Sequence, residues 1–347
     1  MSADKVFISR NYKARFSAAG KAKIDCEIIM EKYGFRNIGL SRTTYVSTLP
    51  NFVMTLMGTL LGLFRLRRNS ILCVQYPTKK YYDLIVRVAR LKKCRVVTII
   101  HDLRSHRKQR MHVDQEIRSL NRNDLIISHN KNMTAWLTER GLTSATVDLE
   151  IFDYLCDFDA SAGQPPVMGE KFRLIFAGVL EKRKNGFLYQ LDDTKAQKFI
   201  CNLYGVGFDA EELDSDSLIN YEGVFPADEI VQRIQGEFGI VWDGTSIDEC
   251  QGSFGEYLRI NNPHKTSMYL RAGVPIIIWD NAAIAELVVE KQVGIAVASL
   301  ADVDFELQKL SADDYQRMRG NARTLSKQLG DGAFLTRAMD AALASID

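Results

Sequence analysis

Two kinds of residue in this chain are placed for chemistry: cations where helices begin and proton acceptors where apolar runs end. Lys265 follows the polar turn Asn261, Asn262, Pro263, His264 and precedes Thr266, at the point where a helix starts. Helix N-termini carry free N–H groups and a positive dipole end, so a lysine there suits a bound anion. Directly upstream, FGIVW (238–242) reads as a buried strand that Asp243-Gly244 terminates. A second cationic set, Lys182, Arg183 and Lys184, lies in the loop after Phe172–Ala177. In the other half of the chain, His101-Asp102 ends the apolar run 95–100 and His129-Asn130 ends the run 125–128. Carboxylates and imidazoles so placed can take the proton of a hydroxyl. Each residue alone has an ordinary alternative: a solvated lysine, a loop-capping aspartate, a core histidine. Their repeated placement at strand ends favours a site, because open α/β sheets bind ligands beyond the carboxyl ends of their strands.

The elements that must hold these residues alternate strand and helix. From Lys265 a helix carries Met268, Leu270 and Ala272 inward until Gly273 stops it. Val274–Trp279 is a continuous apolar run suited to a parallel strand buried on both faces, and a helix over 282–290 leads to a strand at Gly294–Val297. The first half opens with a strand at Val6–Ile8, then the small residues Ala18, Ala19 and Gly20, then a helix over 21–33. SAAGKAK (17–23) lacks dinucleotide-fingerprint spacing, so Gly20 is a weak signal alone. Leu49–Phe64 is the most apolar segment and is flanked by Arg65, Arg67 and Arg68; it falls short of the about 20 apolar residues of a membrane span. A core helix is the expectation, and a monotopic membrane contact the sharper alternative. Strands are expected at Ile71–Gln75, Arg95–Ile100, Leu125–Ser128, Phe172–Ala177 and Phe199–Tyr204, where Tyr204 is a candidate to stack on a base. The basic loop LRSHRKQRMH (103–112) follows Asp102, and an acceptor phosphate or a membrane surface would suit it. Asp214 and Asp216 form a DxD triplet in a charged stretch with no strand leading into it, which reads as a solvated loop rather than a metal site. Helices over 311–327 and 334–346 close the chain.

At 347 residues, 46% hydrophobic and 25% charged, the chain exceeds what one core usually serves, so two domains are expected. The boundaries read as 1–156, a linker at 157–170 within which DFDASAGQPPVMG is the clearest composition shift, 171–318, and terminal helices at 319–347. Net charge is +2, yet residues 1–156 hold 27 Lys/Arg against 13 Asp/Glu while 157–347 hold 18 against 30. That asymmetry suits an anionic partner on the basic half, or mutual attraction of the halves. No aromatic stacking platform or recognised module supports nucleic acid as that partner. Six scattered cysteines without CxxC spacing, and an amino terminus without an apolar signal core, point to reduced thiols in a cytoplasmic protein.

The stretch from Phe238 to Val297, from WDG (242–244) to GIAV (294–297), resembles the carboxyl-terminal half of bacterial galactofuranosyltransferases that build O-antigen and other surface glycans. It is similar, more loosely, to a glucosyltransferase of bacterial adhesins. Weaker likeness covers IIHD (99–102), ISHN (127–130), IFDYL (151–155) and FAG (176–178). The resemblance implies an α/β GT-B fold of two facing Rossmann-like domains with a cleft between them, the last helix packing back on the first. It implies an inverting hexosyl transfer with UDP-galactofuranose as donor; fixed cations and helix ends can serve the diphosphate without a metal or cofactor, and a lipid-pyrophosphate-linked glycan is the expected acceptor. Lys265, Lys182 and Arg183 would neutralise the departing diphosphate, with the Gly20 turn facing them and Asp243, Asn262, Thr266 and Tyr204 around the donor. An acidic residue after the AAIA run, here Glu286, would take the ribose hydroxyls. Asp102 is the expected base, with His101 and His129 behind it. Peripheral contact with the inner membrane and a homo-oligomer are compatible with this picture. A UDP-glucose or UDP-galactose hexosyltransferase, a UDP-sugar 2-epimerase and a noncatalytic partner subunit are the rival readings.

Overall fold

In the computed structural model, which describes residues 3–12, 18–43, 48–78, 81–108, 112–160, 170–194, 196–209 and 217–346, the chain divides into two units. Residues 1–153 and 332–347 form the first; residues 154–331 form the second. The first runs β1 (Lys5–Phe7), α1 (Ala18–Lys32), β2 (Arg36–Asn37), α2 (Thr48–Arg65), β3 (Ile71–Tyr76), α3 (Tyr82–Leu91), β4 (Arg95–Ile100), α4 (Arg104–Lys108), α5 (Val113–Leu120), β5 (Leu125–Ser128), α6 (Lys131–Glu139) and β6 (Ala145–Asp148). Its six strands are all parallel in the order β2-β1-β3-β4-β5-β6. β3, β5 and all but the first residue of β4 are buried, as the continuous apolar runs require in a sheet covered on both faces. The strand order reverses between β1 and β3, and open sheets bind ligands at such a switch point.

The second unit runs β7 (Phe172–Val179), α7 (Lys182–Asn185), α8 (Phe187–Asp193), β8 (Phe199–Val206), β9 (Ile219–Gly223), α9 (Ile230–Arg233), β10 (Phe238–Val241), α10 (Gly252–Leu258), α11 (His264–Arg271), β11 (Ile276–Trp279), α12 (Ala285–Glu290), β12 (Gly294–Val297), α13 (Val303–Lys309) and α14 (Ala312–Asp331). Its parallel order is β12-β11-β10-β7-β8-β9, reversing between β7 and β10. Gly239 explains the glycine inside FGIVW: a Cβ there would lie 2.3 Å from the Tyr269 ring. The Tyr269 hydroxyl accepts from the Ala177 amide at 2.8 Å, so one aromatic side chain pins α11 against β7 and β10. Gly273, at φ +70°, ends α11 as its position predicts. Arg271, buried at the end of α11, donates to Ser326 on α14 and to the carbonyls of Cys156 and Phe158. α14 therefore belongs wholly to the second unit, and only α15 (Ala333–Ile346) lies in the first. There α15 packs on α1, β5 and β6, and the buried Asp153 carboxylate caps it, accepting from the amides of Phe334 and Leu335 at 3.1 and 2.8 Å.

Candidate active site

In the second unit, the carboxyl ends of β7 and β10 hold a cationic pair around one carboxylate. Lys265 Nζ lies 3.1 Å from the Trp242 carbonyl and 3.4 Å from Asp243 Oδ1, and sits over the Phe176 ring at 4.1 Å. Lys184 Nζ approaches the same Asp243 oxygen at 3.7 Å. Burial lowers the Lys265 pKa and the Lys184 charge lowers it further, against the opposing pull of Asp243. An ammonium so placed is poorly hydrated, and an arriving phosphate gains correspondingly. Asn185, buried next to Lys184, donates to the Val179 carbonyl at 2.6 Å and locks the short helix α7 onto the end of β7.

In the segments that carry this pair, Asn185 Oδ1, Asn261 Oδ1 and Thr266 Oγ1 find no hydrogen-bond partner among the described residues. Buried polar atoms in that state mark a place built for a ligand or for water. Asn262 is buried too, and Tyr154, from the IFDYL segment, stacks on His264 with ring centroids 4.9 Å apart. Thus Lys265 and Asp243 meet at one place and Lys184 joins them, while the buried Asn262 and Thr266 flank Lys265 in the chain. Lys182 and Arg183 do not join them: both are exposed, and Lys182 lies over the Tyr189 ring at 4.6 Å. Successive residues of a helix point about 100° apart, so in KRK only a tertiary contact decides which cation turns inward. Glu286 is exposed in the first turn of α12.

Tyr204 is a correction. Strand β8 continues through it to Val206, the side chain is 2% exposed, and its hydroxyl accepts from the Gln235 amide at 3.1 Å. It is a core tyrosine packed near Phe225 and is not available to stack on a base.

In the first unit, His101 follows β4 and Asp102, half-buried, comes next. Gln75, near the end of β3, donates from Nε2 to the Lys23 carbonyl and to the Tyr12 hydroxyl, both at 3.2 Å. A carbonyl can only accept, so the Gln75 amide orientation is determined and Oε1 faces His101 Nε2 at 2.7 Å. Neutral His101 therefore carries its proton on Nε2, leaving Nδ1 as the basic atom of the ring. Tyr12 in turn bonds Glu27, which also accepts from Ser9 Oγ at 2.7 Å. Burial drives the Glu27 pKa up to about 7. Phe152 stacks on His101 at 5.3 Å and meets His129 edge-on at 4.9 Å.

His129 is the second correction. It is 1% exposed and burial pushes its pKa down to about 3, only partly offset by hydrogen bonds to the backbone at Ile100 and His101. Such an imidazole is neutral at pH 7 but far too weak a base to deprotonate a hydroxyl. Its part is to hold the β4 end in place. The stretch after Asp102 is likewise more structured than a basic loop: it begins α4, whose first amides, Arg104 and Ser105, donate to the buried Glu116 carboxylate at 2.7 and 3.0 Å. Residues 109–111 lie outside the described residues. Gly20 is buried in the first turn of α1, which starts at Ala18 rather than after a glycine turn. The triplet Asp214 and Asp216 lies outside the described residues.

Two parallel six-stranded sheets flanked by helices define the class, a GT-B glycosyltransferase fold. Solved structures share it over nearly the whole chain: sucrose-phosphate synthase from Thermosynechococcus elongatus at TM-score 0.59 and 14% identity, covering 99% of both chains. The lipopolysaccharide outer core galactosyltransferase WaaB also superposes at TM-score 0.59, with 13% identity and 99% of both chains covered. At these identities the likeness shows the fold alone. Sequence carries it further. The model of the glucosyltransferase 3-like N-terminal domain matches residues 5–151, and that of the glucosyltransferase 3-like C-terminal domain matches residues 174–342. The chain is also 31% identical over 272 residues to the β-1,6-galactofuranosyltransferase WbbI of Escherichia coli K12, 78% of each chain. It belongs to the glucosyltransferase 3-like family, and it is a glycosyltransferase.

Proposed function

We propose that this enzyme transfers a β-galactofuranosyl group, with inversion, from UDP-galactofuranose to a sugar hydroxyl of a cell-surface glycan precursor in the cytoplasm. The observation that carries the reading is the Lys265–Asp243–Lys184 cluster at the ends of β7 and β10, in a chain 31% identical to WbbI. As the bond from the anomeric carbon to the diphosphate oxygen breaks, negative charge grows on the diphosphate. Lys265 and Lys184 take up that charge, aided by the free amides at the start of α11, with no metal or cofactor in the step. The acceptor oxygen forms its bond to the anomeric carbon from the opposite face. Its proton passes to Asp102 of the first unit, beside the tautomer-locked His101. Glu286 takes the ribose hydroxyls in this reading. The acceptor is carried on a lipid pyrophosphate.

A UDP-glucose donor is the second reading, favoured by the family's description as glucosyltransferase 3-like. A thermal-shift screen with UDP, UDP-galactofuranose, UDP-glucose and UDP-galactose separates the two, and NMR of the product reports the anomeric configuration. Stabilisation by UDP that Lys265→Met removes, with the largest shift from UDP-galactofuranose, supports the proposal. Stabilisation by UDP-glucose alone selects the second reading, and no response to any of the four overturns both. Sugar release or epimerisation without acceptor would identify the 2-epimerase chemistry instead.

A further inference from the structure

Helix α2 is built inside out. In an ordinary surface helix the large apolar side chains face the core. Here the inward face carries Gly58 and Gly62, and a Cβ on Gly62 would meet Ile8 at 2.8 Å. Thr59 and Leu63 complete that buried face, and Leu66, just past the helix, is buried as well. Val53, Met57, Leu60 and Phe64 recur at helical spacing on the outside, exposed by 40, 54, 53 and 85%. They form one stripe about 17 Å long at 1.5 Å rise per residue. On α3, which packs against α2, Leu91 is 78% exposed. Lys92 joins the two helices, its ammonium donating to the carbonyls of Leu63 and Leu66 at 2.8 and 2.6 Å.

The charged residues of α2, α3 and their flanks are almost all basic. Residues 48–95 contain ten Lys/Arg and a single acid, Asp83, which pairs with Arg122 at 3.0 Å. Arg65, Arg67, Arg68, Arg87 and Lys93 make no ion pair among the described residues, whereas Arg90 is spent on Asp124. No helix among the described residues is long and apolar enough to cross a membrane. We infer that the outer faces of α2 and α3 form a docking surface for an anionic lipid bilayer, the stripe entering the headgroup boundary and the arginines binding lipid phosphates. An apolar stripe beside unpaired cations matches a surface that is apolar beneath and anionic above. A second copy of the chain fits less well, because a two-fold contact would set this basic face against itself. The inference does not depend on which sugar is transferred.

Vesicle flotation of the full chain tests it. Vesicles of phosphatidylcholine with 30% phosphatidylglycerol should carry the protein, pure phosphatidylcholine vesicles should not, and added salt should release it. Each cation near such a surface contributes about 1 kcal/mol, so Arg67→Ala/Arg68→Ala should lower partition about 30-fold. Leu60→Ser/Phe64→Ser should abolish it. All four side chains are exposed, so both variants should keep the parent melting temperature and UDP response. Failure to float with anionic vesicles overturns the inference. So does a solution dimer that the Leu60→Ser/Phe64→Ser change converts to monomer without altering vesicle binding, which would make the face an interface between copies.

Discussion

Lys265→Met is the most informative single change, because methionine keeps most of the apolar stem of the side chain and removes the ammonium with its charge and hydrogen bonds. The Lys265 and Asp243 side chains are 13 and 12% exposed, so their interaction is only partly screened. A hydrogen bond from a charged group in that setting contributes about 1.5–3 kcal/mol. Loss of the ammonium should therefore weaken UDP binding about 10- to 150-fold. The fold should suffer less, since Asp243 retains Lys184 at 3.7 Å. A destabilisation of about 1 kcal/mol corresponds to about 2–4 °C in Tm for a unit of this size. Titration calorimetry with UDP, beside thermal unfolding of the unliganded protein, reads both quantities. The reasoning also sets a pH signature. Burial lowers the Lys265 pKa, so UDP affinity should fall with rising pH below the ordinary lysine range. Lys184→Met should move that inflection upward, because it removes a neighbouring positive charge. UDP affinity within threefold of the parent in Lys265→Met, with Tm intact, would refute the assignment.

Other outcomes follow from the same geometry. Lys184→Met should weaken UDP binding about tenfold or more, whereas Lys182→Met and Arg183→Met should change it less than threefold; equal effects from all three would mean the inward turn of Lys184 is not what matters. Asp102→Asn should keep UDP binding and lower transfer by about 10²–10⁴, measured as turnover against calorimetric affinity; normal turnover removes Asp102 as base. Burial raises the Glu27 and Asp153 pKa values from 4.5 and 3.8 to about 7. The folded state thus holds protons that the unfolded chain has lost between pH 4 and 7. Their stabilising contribution is complete below the unfolded values and is lost as pH rises through about 7, so Tm should be higher at pH 5 than at pH 8. Glu27→Gln and Asp153→Asn should each flatten that slope, and an unchanged slope in both contradicts the burial argument.

The parallel-sheet strands were legible because buried strands leave unbroken apolar runs. Ile276–Trp279 and Arg95–Ile100 fall within or on the expected spans, and β7 and β8 run past theirs by two residues. Positions at strand ends were legible too: Asp243, just past β10, does meet Lys265 of α11. Side-chain direction was not. Tyr204 stands one strand turn from solvent in the sequence yet lies in the core because β8 continues past it. His101 and His129 read alike as strand-end histidines, but Gln75, brought from β3, makes one a tautomer-locked ring, while burial makes the other inert. Glu27, Gln75 and Glu116 carry no motif, and their roles exist only through partners 11 to 63 positions away in the chain. Local pattern specifies which backbone is strand, helix or turn. Which polar groups lose their water, and which of three adjacent cations faces a carboxylate, is decided only when distant segments pack together.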